Sequence, residues 1–395
     1  MRIWRRPDKV QSMPDTPVVT DASPTATPTA TTTAQRIDSL DVIRGVAALG
    51  ILLMNAVSFA LPDAAYMNLE QAGNETLLDT AIGVAGRILV DQKMMAIFSL
   101  LFGVGIVIFA DRAAAKGRRS IWLSLWRNLL LFIVGVAHTI LWEGDVLTVY
   151  ALCAPLVLLL RKLPAAWLFG IGLVVANVSA VVSLMVNSSI EDADLGGVWF
   201  IGGELSDGVG GLFLLDGFGR ALGLMLIGVG LFRLGFVQGN ASQATYRRTA
   251  VWGFGIGVPL SAAGLLMNTS TDWAGSAAFS GHAVSTFGTV PMALGYLSLI
   301  VLWAGRNSGG LRARLQAVGR MALTNYLTQT IIGVAVLTIA LDNVDVSRTL
   351  VLGFVFAVWA LQLTWSPWWL ARFRFGPFEW AWRCATYRSL QPLRR

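Results

Sequence analysis

Residues 40–61 read LDVIRGVAALGILLMNAVSFAL. Beyond Arg44 the run carries no charged side chain. As a helix over 42–61 it covers about 30 Å, the thickness of a bilayer's hydrocarbon core. Working outward, comparable runs lie near 88–110, 121–142, 146–160, 164–186, 212–232, 250–267, 283–304, 321–341 and 349–369. The expected fold is an all-α, polytopic transmembrane bundle of about ten spans. Composition agrees. Of 395 residues, 55% are hydrophobic and only 13% charged, where a soluble chain carries about a quarter; mean hydropathy is +0.63.

Charge placement orients these spans. The connections 111–120, 161–162, 233–248 and 306–320 hold thirteen Lys and Arg, whereas 62–80, 143–145, 187–211, 268–282 and 342–347 hold none and carry fourteen Asp and Glu. That alternation follows the positive-inside rule and puts both termini in the cytoplasm. The net charge of +7 therefore reflects topology, and no nucleic-acid partner is expected. The partner is the lipid bilayer, and the expected location a plasma membrane.

Residues 1–36 combine a basic opening with a Pro/Thr/Ala-rich stretch and no apolar h-region. They read as a disordered cytoplasmic tail, not a signal peptide. The transmembrane domain is expected over 37–371. Residues 372–395 mix aromatics (Phe375, Phe378, Trp380, Trp382) with arginines, as an amphipathic helix at the headgroups does. Two cysteines, Cys153 and Cys384, make no disulfide framework, and two histidines exclude a His-rich metal centre.

Polar groups inside apolar spans are costly, so they mark bundle interiors or functional paths. In the first span Asp41 lies one turn from Arg44, and Asn55 follows eleven residues on, about 16 Å along nearly the same face. The third span repeats the spacing with Arg127 and His138, followed by Glu143 and Asp145. A histidine beside a carboxylate suits general-base catalysis; it equally suits a helix end bonded to a neighbouring span. In the ninth span Thr324, Asn325, Thr328 and Gln329 form a stripe that reads either as a contact for an amide-rich ligand or as interhelical glue. Arg306, Arg312, Arg314 and Arg320 cluster just before it; they match phosphate recognition as well as simple positive-inside bias. His282, with no acidic neighbour within a turn, is the weaker of the two histidines. The glycine-rich 202–211 segment lacks a GK[ST] ending and reads as a flexible connection. Gly103 and Gly105 read as helix-packing positions.

Five stretches, RIDSLDVIRGVAALGILLMN (36–55), MMAIFSLLFGVGIVIFADRA (94–113), GVAHTILWEGDVLTVYAL (135–152), VGRMALTNYLTQTII (318–332) and FGPFEWAWR (375–383), resemble in order the hallmark segments of the YeiB-like family of bacterial multi-pass membrane proteins. More distantly, the LDVxRG opening is similar to membrane acyltransferases, including acyltransferase family 3 and the lysosomal heparan glucosaminide N-acetyltransferase. That similarity implies transfer of an acyl group from cytoplasmic acetyl-CoA or another acyl-CoA, as co-substrate and with no tightly bound cofactor, to a cell-envelope glycan or lipid acceptor. The heparan enzyme's functional histidine follows its first helix, but 62–80 has none here. His138 would then serve as base, oriented by Asp145 or Glu143, with Asn55 holding the oxyanion. Arg44, Arg127, Arg314, Arg320, Asn325 and Gln329 would bind the donor, and no metal is implied. The competing class is a transporter or flippase, since buried Arg and His equally mark a solute or proton path.

Overall fold

The computed structural model describes residues 33–342 and 344–395, with the side chains of 33–38 left aside. Helix α1 (Thr33–Ala60) begins inside the segment expected to be a tail, and 1–32 lie outside the described residues. The described chain is helical throughout: α2 (Asp63–Met67), α3 (Leu77–Ala85), α4 (Lys93–Ala115), α5 (Ser120–Thr139), α6 (Leu147–Leu160), α7 (Ala165–Val186), α8 (Asp207–Arg233), α9 (Gln243–Ser270), α10 (Gly275–Phe287), α11 (Thr289–Arg306), α12 (Gly310–Arg320), α13 (Ala322–Gly333), α14 (Arg348–Arg372) and α15 (Pro377–Tyr387). Among the described residues, nine helical stretches are long and apolar enough to cross a membrane, and α6 is a shorter tenth. The protein is a polytopic helical membrane bundle.

Three expected spans are not single straight helices. The second extends back to Leu77 and breaks at Asp91–Gln92, where a wide π-helical turn (Gly86–Val90) ends and Gln92 takes φ 63°. The eighth starts at Gly275 and bends at Gly288 between α10 and α11. The ninth passes from α13 into a second wide turn, Val334–Ala340. Hydropathy locates apolar length but is blind to backbone irregularity, which the bundle tolerates where neighbouring protein satisfies the freed groups.

Helix α4 runs through the centre, between α1, α8 and α11. Its contact with α8 depends on Gly103: a Cβ there would run into the Met225 backbone. Gly105 faces open space and plays no such part. On the side of the basic loops, α12 packs along α1 and α15 docks on α5 and α13. On the opposite side, the 187–206 connection folds down as a cap. Its Trp199 is buried, donates to Trp273 O (2.8 Å) and accepts from Asn68 (3.2 Å).

Candidate functional site

Helix α5 ends at Thr139, and the chain curls around its last turn: Leu141 and Trp142 N–H both donate to His138 O (2.9 and 3.1 Å). The turn delivers Asp145 back beneath the helix. Gly135, one turn before His138, makes room, because a Cβ there would press on Thr148 N. The two carboxylate oxygens of Asp145 then divide their work. Oδ2 accepts from Thr148 N–H (3.1 Å), holding the first turn of α6. Oδ1 bonds His138 Nδ1 (2.8 Å) and accepts from the Tyr326 hydroxyl of α13 (3.1 Å). The trio thus ties α5, α6 and α13 together.

His138 is only 4% exposed. Beside the carboxylate, Nδ1 is assigned the proton, which leaves the lone pair on Nε2. Nε2 is buried and has no protein partner. The ring lies 5.3 Å from Tyr326 and 6.4 Å from Trp142, centroid to centroid. An imidazole held by a carboxylate with its other nitrogen unspent has the arrangement of a general base.

The other expected residues fall into distinct settings. Glu143 is exposed, within electrostatic reach of Asp63, and is not the carboxylate on His138. Asn55 is half-buried one turn before Phe59, whose ring meets Trp142 edge-on at 5.0 Å. Arg44 pairs with Asp41 (2.6 Å) and stays partly open. Arg127 is sandwiched between Phe109 (4.3 Å) and Trp382 of α15 (4.1 Å), and its carbonyl accepts from Trp382 Nε1 (3.0 Å). Arg314 and Arg320 are exposed and donate to Leu363 O and Arg374 O. The Asn325 amide is spent within the protein, and Gln329 spends its amide nitrogen there while its Oε1 is buried with no partner. Asn325 bonds Val318 O, Ser366 and Trp365, and Gln329 bonds Ala48 O and Gln362, so the stripe joins α1, α13 and α14.

A second buried polar centre was not foreseen. His282 does have an acidic neighbour: Asp216, 66 residues away on α8, lies 3.5 Å from its Nε2 and pairs with Arg220 one turn on. At the α4 break, Asp91 accepts from Tyr66 (2.7 Å) and pairs with Arg87 (2.8 Å). Burial and the charge of Asp91 hold the Tyr66 hydroxyl well above the usual tyrosine range. The sequence signal was present, since Asp216 and Arg220 stand four apart inside an apolar span.

Comparison with known proteins supplies a family. The family described as "Protein of unknown function (DUF418)" matches residues 231–389. The "Uncharacterized protein YeiB" of Escherichia coli K12 is 34% identical over 384 residues, covering 91% of this chain and 98% of the relative. The "Uncharacterized protein YxaH" of Bacillus subtilis 168 is 29% identical over 410 residues, covering 91% and 96%. No solved structure matches the chain.

Proposed function

The chain belongs to the DUF418 family of YeiB-like membrane proteins, and from that footing we propose that it is a transmembrane acyltransferase of the bacterial plasma membrane. It would move an acyl group from a cytoplasmic acyl-CoA to an outward-facing hydroxyl or amine of the cell envelope. The observation that carries this reading is the buried His138 with Nδ1 on Asp145 and Nε2 unspent.

In the proposed step, Nε2 takes the acceptor's proton as its oxygen or nitrogen attacks the thioester carbonyl. The tetrahedral intermediate collapses, the C–S bond breaks, and the leaving thiolate receives that proton from the imidazolium. Asp145 remains ionised throughout and supports the cationic ring. Asn55 is the proposed donor to the developing oxyanion. Arg44, Arg314 and Arg320, open on the basic side, are the proposed contacts for the donor's phosphates. The settings of Arg127, Asn325 and Gln329 favour a supporting role, in which they hold the helices around this path.

The test is acyl-CoA turnover by purified protein in the presence of envelope lipids and glycans. His138→Ala is expected to abolish it. Asp145→Asn is expected to slow it by about 10²–10⁴, since an amide cannot hold the same tautomer. Absent acyl-CoA binding, or unchanged turnover in His138→Ala, overturns the proposal. One observation favours transport as the second reading: the second span is broken at Asp91–Gln92, just before α4, beside buried charges, as in transporter binding sites. Solute accumulation in proteoliposomes without chemical change would support it.

A further inference from the structure

The centre around the α4 break is independent of His138, shares no residue with it, and stands whether or not acyl transfer holds. It gathers Arg87, Asp91, Gln92 and Lys93 from the broken segment, Asp216 and Arg220 from α8, His282 from α10, and Ser179 from α7. Lys93 is 1% exposed, His282 7% and Arg220 9%. The two carboxylates are fully engaged. Asp91 holds Arg87 and Tyr66, and Asp216 holds Arg220 and Ser179 (2.6 Å), with His282 Nε2 3.5 Å away.

The cations are not. Lys93 Nζ donates to one protein acceptor, Arg87 O (3.2 Å). Arg220 spends Nη2 on Asp216 and leaves Nε and Nη1 buried with no partner. Three cations face two carboxylates, and Arg220 and Arg87 both lie within electrostatic reach of Lys93. Arg348, beside Arg87, does not redress the balance, because Asp79 on the same flank offsets it. A buried positive charge with unspent N–H groups is costly unless an anion completes it.

His282 does not neutralise the excess. Gln92 Oε1 accepts from Thr286 (3.5 Å) and Thr289 (3.3 Å), so its amide nitrogen faces His282 Nδ1 (3.4 Å). With Nδ1 as acceptor, the ring's proton sits on Nε2, toward Asp216. The imidazole turns an N–H and not a lone pair toward the centre, and that Nε2 is itself buried without a hydrogen-bond partner.

The surroundings suit an occluded ligand. Ile88, Phe213 and Phe279 each lie three residues before Asp91, Asp216 and His282, one turn nearer the acidic-loop side. All three pack into the apolar layer under the capping residues Leu195 and Trp199. An apolar lid one turn above a cationic centre excludes water and strengthens each electrostatic contact below it.

We infer that Lys93 and Arg220 form a binding site for an oxyanion, a carboxylate or phosphate group of a solute or lipid reached from the acidic-loop side. The site is tested by titrating purified protein in nanodiscs with inorganic phosphate and, separately, with acetate, in a chloride-free buffer, reading binding by calorimetry and thermal stabilisation. Saturable binding of one of them is expected, and which one identifies the chemistry. Lys93→Met removes the excess cation and leaves both ion pairs in place, so it should fold and bind at least tenfold more weakly. The double variant Arg220→Gln with Asp216→Asn neutralises the second pair together and should do the same. Arg248→Gln, on the opposite side of the bundle, should bind as wild type does. No saturable binding of either anion by the wild type overturns the site. So does affinity within threefold of wild type in both variants, or density for water alone between Arg220 and Lys93 in an anion-soaked map.

Discussion

Replacing Arg127 by Met separates two roles for that arginine. Its guanidinium lies 4.3 Å from the Phe109 ring of α4 and 4.1 Å from Trp382 of α15, so one cation–π contact ties α5 to α4 and the other holds α15 against α5. Two hydrogen bonds between α5 and α15, Trp382 Nε1 to the Arg127 carbonyl and Trp126 Nε1 to Ala385 O, survive a change of the Arg127 side chain. The Thr324–Glu379 bonds to α13 survive as well. At about 1 kcal/mol for a half-buried pair, losing the Trp382 contact in Arg127→Met costs about 1 kcal/mol of docking energy, which raises the undocked population of α15 roughly fivefold. Trypsin cleavage after Arg383 reads that population directly when opening is fast relative to cutting. The expected result is an initial rate roughly fivefold above wild type, with Arg127→Lys in between because an ammonium keeps the charge but not the flat stack. A rate within about 1.5-fold of wild type, below the ~0.25 kcal/mol equivalent, refutes the docking role. If that variant also lost acyl-CoA binding, Arg127 would be a donor contact after all.

Three further outcomes follow from the same structure. Burial raises the Glu379 carboxyl above its ordinary range, against the opposing hydrogen bonds from Thr324. A raised folded-state value means stability is full below the unfolded value and falls as pH climbs through the folded one; thermal melts of the wild type should therefore decline over that window while Glu379→Gln stays flat, and parallel curves would contradict it. Gly103→Val drives methyls into the Met225 backbone, which should cost about 3 kcal/mol or more and show as lost monodisperse protein in size exclusion, whereas Gly105→Val, in open space, should elute unchanged. Tyr66→Phe removes the hydroxyl donor to Asp91 and should lower stability by about 1.5–3 kcal/mol, the range for a bond to a charged group; an unchanged melting temperature would mean that water replaces the hydroxyl.

Span number and the grouping of loops were legible because both are one-dimensional quantities: apolar length and the sign of the charge between lengths. Asp41 with Arg44 was legible too, since helical spacing alone brings them together. The His138–Asp145 contact needed more. Spacing placed both near one helix end, but the fold-back of residues 140–145, the room at Gly135 and the hydroxyl of Tyr326 are tertiary facts. His282 shows the limit most plainly. Its carboxylate comes from another helix, so a search within one turn could not reveal it. The α13 stripe was visible as polar, yet its use as glue depends on Gln362 and Ser366 of α14.

What distinguishes glue from function in this bundle is the balance of donors and acceptors. Asn325 meets four partners on α12 and α14 without an unspent polar atom. Such a network specifies helix register and asks nothing of a ligand. His138 Nε2, Arg220 Nη1 and Arg220 Nε are buried with no partner, as are Gln329 Oε1 and His282 Nε2; the first three differ in being the open atoms of side chains whose other nitrogen an aspartate already holds. Each atom of that kind costs about 1–3 kcal/mol or more if it stays unsatisfied, a charge the fold has no structural reason to carry. The two centres hold opposite capacities: His138 offers a lone pair to a proton, while Arg220 and Lys93 offer protons to an anion. A molecule bearing both a nucleophilic hydroxyl or amine and an acidic group would satisfy both. Soaking one bifunctional compound of that kind, and finding that Lys93→Met weakens its binding without altering turnover of a neutral acceptor, would show the centres acting on separate molecules.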